Sequence, residues 1–225
     1  MQEPVTSAAC GVVVDYVIGQ VERKEYNAGD RLPPERVLAQ QLKVNRTTVR
    51  EAIKVLNYLG FVDSNHGSGN YVTNTYDKTF GKIMKIMYLR DIVDFDGFTV
   101  FRQMLELQSF ELAIKNATEA QKAEMRQIVD LLDITADSGL RISLDNRFHT
   151  LLVEASQNAL ITINFQALSN VITEYMSKVF LETVSKKTAG FERLQEFHHA
   201  IADALTDGDR EKGIQAIKDH FSWLY

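Results

Sequence analysis

The chain of 225 residues contains one cysteine, three prolines and no apolar run long enough to cross a membrane. A single thiol, Cys10, cannot form an internal disulfide, which fits a reducing compartment. A membrane helix needs about 18 or more apolar residues in succession. The N-terminus lacks the basic segment of a signal peptide. We therefore expect a cytoplasmic protein, and the scarcity of proline predicts long helices.

Basic side chains are fewer than acidic ones, and the formal net charge is −5. The excess of acidic residues is unevenly distributed along the chain. Residues 1–75 hold eight Lys or Arg and eight Asp or Glu, whereas residues 76–225 hold 17 and 22. Within the neutral part, residues 43–54 carry four basic side chains against one acidic side chain. Because the distribution of charge matters more than its sum, this segment predicts a local basic face.

Hydrophobic periodicity predicts a mainly α fold with two domains. Residues 1–75 are predicted to form three helices, the first near 7–25, followed by a small β-hairpin. Residues 76–225 are predicted to form an all-helical bundle. Its expected helices lie near 78–92, 97–115, 119–135, 140–155, 159–184, 190–206 and 210–223.

The third helix of the first domain separates an apolar side from a basic side. Asn45 is a good N-cap for this helix. The side expected to pack inward comprises Val49, Ala52, Ile53, Leu56 and Leu59. The opposite side carries Arg46, Arg50 and Lys54, with Thr47 and Thr48 in the first turn. This arrangement is typical of a helix-turn-helix, in which a tight turn joins a short helix to a second helix with polar residues at its N-terminus. The basic side alone could instead be a solvated helix face.

The stretch "GDRLPPERVLAQQLKVNRTTVREAIKVLNYLGFVDSNHGSGNYV" resembles the winged helix-turn-helix of GntR-family bacterial transcription regulators. "LPPER", "VNRTTVREAI" and "HGSG" carry the resemblance, over about residues 10–73. In such domains the arginine of "PPER", the "RTTVR" cluster and the tip of the wing contact operator DNA. The resemblance implies that the DNA-binding residues are Arg36, Arg46, Thr47, Thr48, Arg50, His66 and Gly67.

Histidines of the second domain lie on apolar helix faces. Asp145 and His149 are four residues apart on one predicted helix, and His198 and His220 face inward on two others. A buried imidazole without a partner is costly. One carboxylate and three imidazoles could instead hold a divalent ion, with zinc favoured and nickel or manganese as alternatives. The other interpretation is three separate core histidines with local hydrogen bonds.

The second domain is similar to the all-helical FCD effector domain of the FadR subfamily. "VFRQMLELQSFELAIKNAT", "LDNRFHTLLVEASQN" and "FHHAIADALTDGDREKGIQAIKDHF" carry this likeness. Many FCD domains bind a metal through D-x3-H and two later histidines. The resemblance implies the ligand set Asp145, His149, His198 and His220, with His199 as the fallback for the third position. It also implies that Arg102 binds the effector, unless this arginine only pairs with Glu106.

These observations predict a homodimeric, sequence-specific DNA-binding transcription regulator, a repressor, and not an enzyme. Its partners would be a palindromic double-stranded operator and a small carboxylate effector bound near the metal. Two alternatives stay open at this point. One is a regulator for which the metal itself is the signal, and the other is a mononuclear metal hydrolase.

Overall fold

The computed structural model describes residues 5–65, 67–186 and 190–224, which fall in two compact units, Met1–Thr79 and Phe80–Tyr225. The predicted domain boundary after residue 75 falls at the start of a helix, Tyr76–Leu89, that continues into the second unit. Across the described residues, no helix has both the length and the apolar character needed to span a bilayer.

The first unit is a three-helix domain with a two-stranded antiparallel sheet. Its elements are α1 (Val5–Glu22), α2 (Glu35–Leu42), α3 (Arg46–Tyr58), β1 (Val62–Asn65) and β2 (Gly69–Val72). The strands pair from Val62↔Val72 at the base to Asn65↔Gly69 near the tip. One apolar core joins α1, α2, α3 and both strands.

The start of α3 is fixed by the predicted cap. The side chain of Asn45 accepts a hydrogen bond of 2.7 Å from the backbone N–H of Thr48. Val49, Ala52 and Leu56 are fully buried, as predicted. The prediction for Leu59 was wrong, because α3 ends at Tyr58 and Leu59 is 48% exposed.

Glycine is required where the hairpin approaches the loop before α2. Gly69 has φ +121°, and a Cβ at this position would lie 2.7 Å from Nε of Arg31. Arg31 also forms an isolated β-bridge with Tyr71. The hairpin and the loop that carries Arg31 are therefore held against each other.

The second unit is all-helical in its described part, which confirms the predicted fold class. Its helices are α4 (Tyr76–Leu89) from Phe80 onward, α5 (Phe95–Asn116), α6 (Glu119–Ile134), α7 (Ser138–Ala155), α8 (Ala159–Lys186), α9 (Gly190–Asp207) and α10 (Arg210–Leu224). Their ends differ from the predicted ones by at most three residues. The predicted fourth helix ran too far, to residue 92, because Asp91 has φ +53° and ends the helical path.

The main core of the second unit is built by α5, α6, α7, α9 and α10. Phe110 of α5 and Phe148 of α7 are among its fully buried side chains. Helix α10 comes close to α5 at Gly213, where a Cβ would overlap the Phe110 ring. The absence of a side chain at Gly213 thus sets how closely α10 approaches α5, and with it the position of His220 seven residues later.

We expect Gly213→Ala to destabilise the second unit by about 2 kcal/mol or more, because the added methyl group forces the Phe110 ring or α10 to move. Chemical denaturation of the full chain, followed by circular dichroism, measures the loss. Gly139→Ala is the matched control, since its Cβ would meet only the Asp137 carboxylate at an ordinary 3.4 Å. Equal unfolding midpoints for the two variants would contradict this account of the α5–α10 contact.

Candidate functional site

The N-terminal end of α3 presents polar side chains at the surface of the first unit. Arg46, Thr47 and Arg50 are exposed. Arg50 also pairs with Glu35 of α2 at 3.2 Å, and the Arg50 side chain stays 58% exposed. The pair links the first turn of α2 to α3 and orients the guanidinium without burying it.

An open cleft of about 470 Å³ lies beside this surface. Its walls come from the loop before α2, the first turns of α2 and α3, and the hairpin. Three guanidinium side chains line it, those of Arg31, Arg36 and Arg46. The hairpin contributes Gly67 and Asn70. The predicted residues Arg36, Arg46 and Gly67 are thus brought together around one concave, basic surface.

Two of the predicted DNA-binding residues need separate treatment. Thr48 is only 3% exposed, because it lies on the side of α3 that packs into the domain. Its backbone N–H donates to the Asn45 cap, and because its side chain is buried we remove Thr48 from the predicted DNA contacts. His66 lies outside the described residues.

Arg31 was not among the residues predicted for the basic surface, although Arg31 lines the cleft. Its position two residues before "PPER" in "GDRLPPER" was an available signal.

In the second unit, four polar side chains converge inside the helical core. They are Asp145 and His149 of α7, His198 of α9 and His220 of α10. One potential ligand atom from each residue lies within 4.8 Å of the others. The three imidazole rings are mutually close, with centroid distances of 5.0 to 5.3 Å. The structure therefore brings together the four residues that the sequence placed on three separate helices.

Four of the six ring nitrogens of this cluster lack hydrogen-bond partners in the described part of the chain. Among the described residues, Nε2 of His149, Nε2 of His198 and both ring nitrogens of His220 are buried and unpaired. Oδ1 of Asp145 lies 3.8 Å from Nε2 of His149 and 3.4 Å from Nε2 of His198. These distances are too long for good hydrogen bonds. Buried polar atoms without partners at one point indicate that something else fits between them.

The protonation states of the cluster suit a cation. Burial lowers the pKa of His149, His198 and His220 well below the ordinary value, so the rings are neutral at pH 7. Burial raises the pKa of Asp145 to about 6, against the opposing charge of Arg102. The carboxylate is therefore mostly ionised at pH 7. Three neutral imidazoles and one carboxylate form a donor set that fits a divalent metal ion.

Two further side chains contact histidines of the cluster on the side away from Asp145. The sequence had not assigned either of them to the site. Oε2 of Glu106 lies 2.6 Å from Nδ1 of His149, and Oε1 of Gln195 lies 3.2 Å from Nδ1 of His198. Gln195 precedes His198 by three residues, which is a readable helical signal. Glu106 is 43 residues from His149, and no local pattern connects them.

The surroundings of Arg102 and His199 bear on two of the sequence alternatives, and only the one for the third histidine is decided. Nε of Arg102 donates to Oε1 of Glu106 at 2.8 Å, so the predicted i, i+4 pair exists. The same guanidinium lies 5.7 Å from the ring centroid of Phe165 and 5.9 Å from that of Phe221. His199 points away from the cluster, is 42% exposed and contacts Asp133 at 2.8 Å. His198, and not His199, supplies the third imidazole of the cluster.

Comparison with known proteins agrees with both halves of the structure. Residues 11–72 match the family described as bacterial regulatory proteins, gntR family. Residues 98–222, more than half of the chain, match the FCD domain. The two matched segments coincide with the winged unit and with the helical unit that holds the cluster.

Relatives that cover most of the chain are transcription regulators. The HTH-type transcriptional regulator LutR of Bacillus subtilis (strain 168) is 28% identical over 90% of this chain and 93% of its own length. The HTH-type transcriptional repressor NanR of Citrobacter rodentium is 26% identical over 90% and 78%. The solved structure of Streptococcus agalactiae GntR has the same fold, with a TM-score of 0.69, 21% identity and coverage of 96% and 98%. The chain therefore belongs to the GntR family of bacterial regulatory proteins, carries an FCD domain, and is a DNA-binding transcription regulator rather than an enzyme.

Proposed function

We propose that this chain is a homodimeric repressor whose DNA binding is controlled by a small organic acid, bound near a divalent metal ion in the helical unit. The observation that carries the metal and effector part is the convergence of Asp145, His149, His198 and His220 with buried, unpaired ring nitrogens. As a regulator of DNA, the protein would act in the cytoplasm.

The side chains of the basic surface of the first unit are suited to different parts of the DNA. Arg46 and Arg50 lie in the first turns of α3, where a recognition helix meets base edges, and each guanidinium can bind guanine through two hydrogen bonds. The exposed hydroxyl of Thr47 suits a phosphate oxygen. Arg36, together with Gly67 of the wing, would follow the backbone and the minor groove. Two copies of this surface in a dimer would require a palindromic operator.

The donor set supports zinc, with nickel or manganese as alternatives. Asp145, His149, His198 and His220 would hold the ion, and the bound ion would supply an electrophilic centre for a carboxylate oxygen. Phe148 packs against His149 and His198, at centroid distances of 5.3 and 4.7 Å, and thereby restricts their ring orientations. Rings that are already in place lose little freedom when a ligand binds.

Arg102 supports a carboxylate as the effector. Its side chain is largely buried, next to Glu106 and between two aromatic rings, so the positive charge is held at a fixed place. A planar guanidinium binds a carboxylate strongly in such a setting. Effector binding would then favour dimers whose two DNA-binding units no longer fit the spacing of the operator half-sites.

The alternative is a regulator that responds to the metal itself. The complete burial of the histidine ligands favours this candidate, because ion binding alone would satisfy several costly unpaired groups and stabilise one conformation. The hydrolase alternative is dropped, since the family and the relatives are transcription regulators.

Arg46→Ala and Arg50→Ala should each weaken specific DNA binding by about 1–3 kcal/mol and relax base preference. A duplex selected from a random pool, followed by fluorescence anisotropy, measures the affinity. Arg126→Ala on α6 is the matched control, because it removes the same charge from the second unit. If the α3 variants bound the selected duplex as tightly as this control, α3 would not be the reading helix.

Adjacent histidines provide a sharp test of the metal site. We expect His198→Ala to reduce bound zinc to a small fraction of the wild-type content after dialysis, because it removes one of four ligands. His199→Ala should keep the wild-type content, since His199 contacts Asp133 at the surface. Elemental analysis of the dialysed proteins gives the metal content. Loss of zinc from the His199 variant alone would reverse the assignment.

Removal of the metal separates the two candidate functions. For an acid-controlled regulator, treatment with a chelator should lower the melting temperature and abolish the response to small organic acids, and affinity for the selected duplex without acid should change less than about twofold. A panel of such acids is screened by thermal shift on metal-loaded protein. A large change in DNA affinity on chelation alone would favour the metal sensor instead.

A further inference from the structure

The three imidazoles of the cluster are not held alike. Nδ1 of His149 faces Oε2 of Glu106 at 2.6 Å, and Nδ1 of His198 faces Oε1 of Gln195 at 3.2 Å. In both residues the other ring nitrogen, Nε2, is the one that faces Asp145. By contrast, neither ring nitrogen of His220 has a hydrogen-bond partner in the described part of the chain.

The outer partner decides which nitrogen of a neutral imidazole carries the proton. An oxygen acceptor at Nδ1 keeps the N–H there and leaves the lone pair on Nε2. Only a nitrogen with its lone pair can bind a metal ion. An acceptor at Nδ1 therefore orients the ring, selects the tautomer and makes Nε2 a better donor.

We propose that Glu106 and Gln195 are positioning residues that hold His149 and His198 in the Nδ1–H tautomer, so that both rings present Nε2 to the metal ion. The inference rests on the metal site of the proposed function and assigns to this site two residues outside its ligand set. His220 is the ligand without such a partner.

Glu106 is itself held rigidly on both sides. Its side chain has 0% exposure, Oε1 accepts from Nε of Arg102 at 2.8 Å, and Oε2 lies 2.6 Å from Nδ1 of His149. A buried carboxylate needs such partners on each oxygen, because it cannot be hydrated. Glu106 thus connects the arginine of the effector site to a ligand of the metal site through two short hydrogen bonds.

Gln195 acts within one helix. It lies one turn before His198 on α9 and is buried. Its side chain contacts the imidazole ring of His198. The helix backbone fixes the distance between the two side chains, so this pair does not depend on the packing of a second helix. Glu106, on α5, instead positions a residue of α7 and depends on that packing.

Zinc affinity of the full-length protein tests the proposal, measured by competition with a chromophoric chelator. We expect Glu106→Gln to weaken zinc binding by about 10- to 100-fold, because a neutral amide replaces the carboxyl group that faces Nδ1 of His149. Glu111→Gln is the matched control, since Glu111 is on the same helix and also pairs with an arginine, Arg210. This control should keep the wild-type affinity within about twofold.

A double-variant cycle separates positioning from general loss of structure. In a His149→Ala background, Glu106→Gln should cause no further loss of zinc affinity, because no ring is left for it to orient. The visible absorption of the cobalt-substituted protein should change in Glu106→Gln and stay constant in Glu111→Gln. An undiminished effect of Glu106→Gln in the His149→Ala background would overturn the proposal.

The role of Gln195 is tested separately from that of Glu106 and its ion pair with Arg102. Gln195→Ala should weaken zinc binding by about tenfold, and Gln195→Glu, which keeps an acceptor oxygen, should restore the affinity. Wild-type affinity in Glu106→Gln and Gln195→Ala would overturn the positioning roles and leave the metal site intact. Absence of zinc and cobalt binding by the wild type would overturn the metal site and the positioning roles together.

Discussion

Four ring nitrogens buried without hydrogen bonds at one point of the second unit are the constraint on which the rest of the account depends. An unsatisfied buried polar group costs about 1–3 kcal/mol, which is large against the marginal stability of a domain. Apart from a few buried polar side chains such as Glu106 and Gln195, the core of this unit is apolar. A divalent ion bound by Asp145 and one nitrogen of each imidazole would satisfy three of these four nitrogens at once, and the four donor atoms already lie within 4.8 Å of one another.

The same core that buries the cluster also gives it precision. Phe110 and Phe148 pack at the centre, and Gly213 lets α10 approach α5 closely enough to bring in His220. The outer hydrogen bonds of Glu106 and Gln195 then fix two of the rings. Packing and hydrogen bonding thus act on the same side chains that would bind the proposed ion.

Sequence reasoning predicted the local features well, because local features follow from spacing along one element. The Asn45 cap, the buried row Val49, Ala52 and Leu56, and the pairing of Asp145 with His149 on one helix are examples. The errors also have local causes. Leu59 was predicted to be buried although the helix ends before it, and Thr48 was assigned to the surface although the helix turns it inward.

The contacts between elements were harder to predict. The contact of Glu106 with His149 joins residues far apart in sequence, and nothing in the spacing of α5 indicates which helix its carboxylate faces. Arg31 joins the basic cleft only because the hairpin folds back on its loop. Tertiary packing decides such contacts, and they cannot be predicted from the residue spacing of a single sequence.

X-ray absorption spectroscopy of the purified, metal-loaded protein tests the central claim most directly, because it reads the ligand shell of the ion. We expect a shell dominated by imidazole scattering, with three nitrogens and a carboxylate oxygen at about 2.0–2.2 Å for zinc. A shell without imidazole, one with thiolate sulfur from Cys10, or a protein that retains no metal would contradict it.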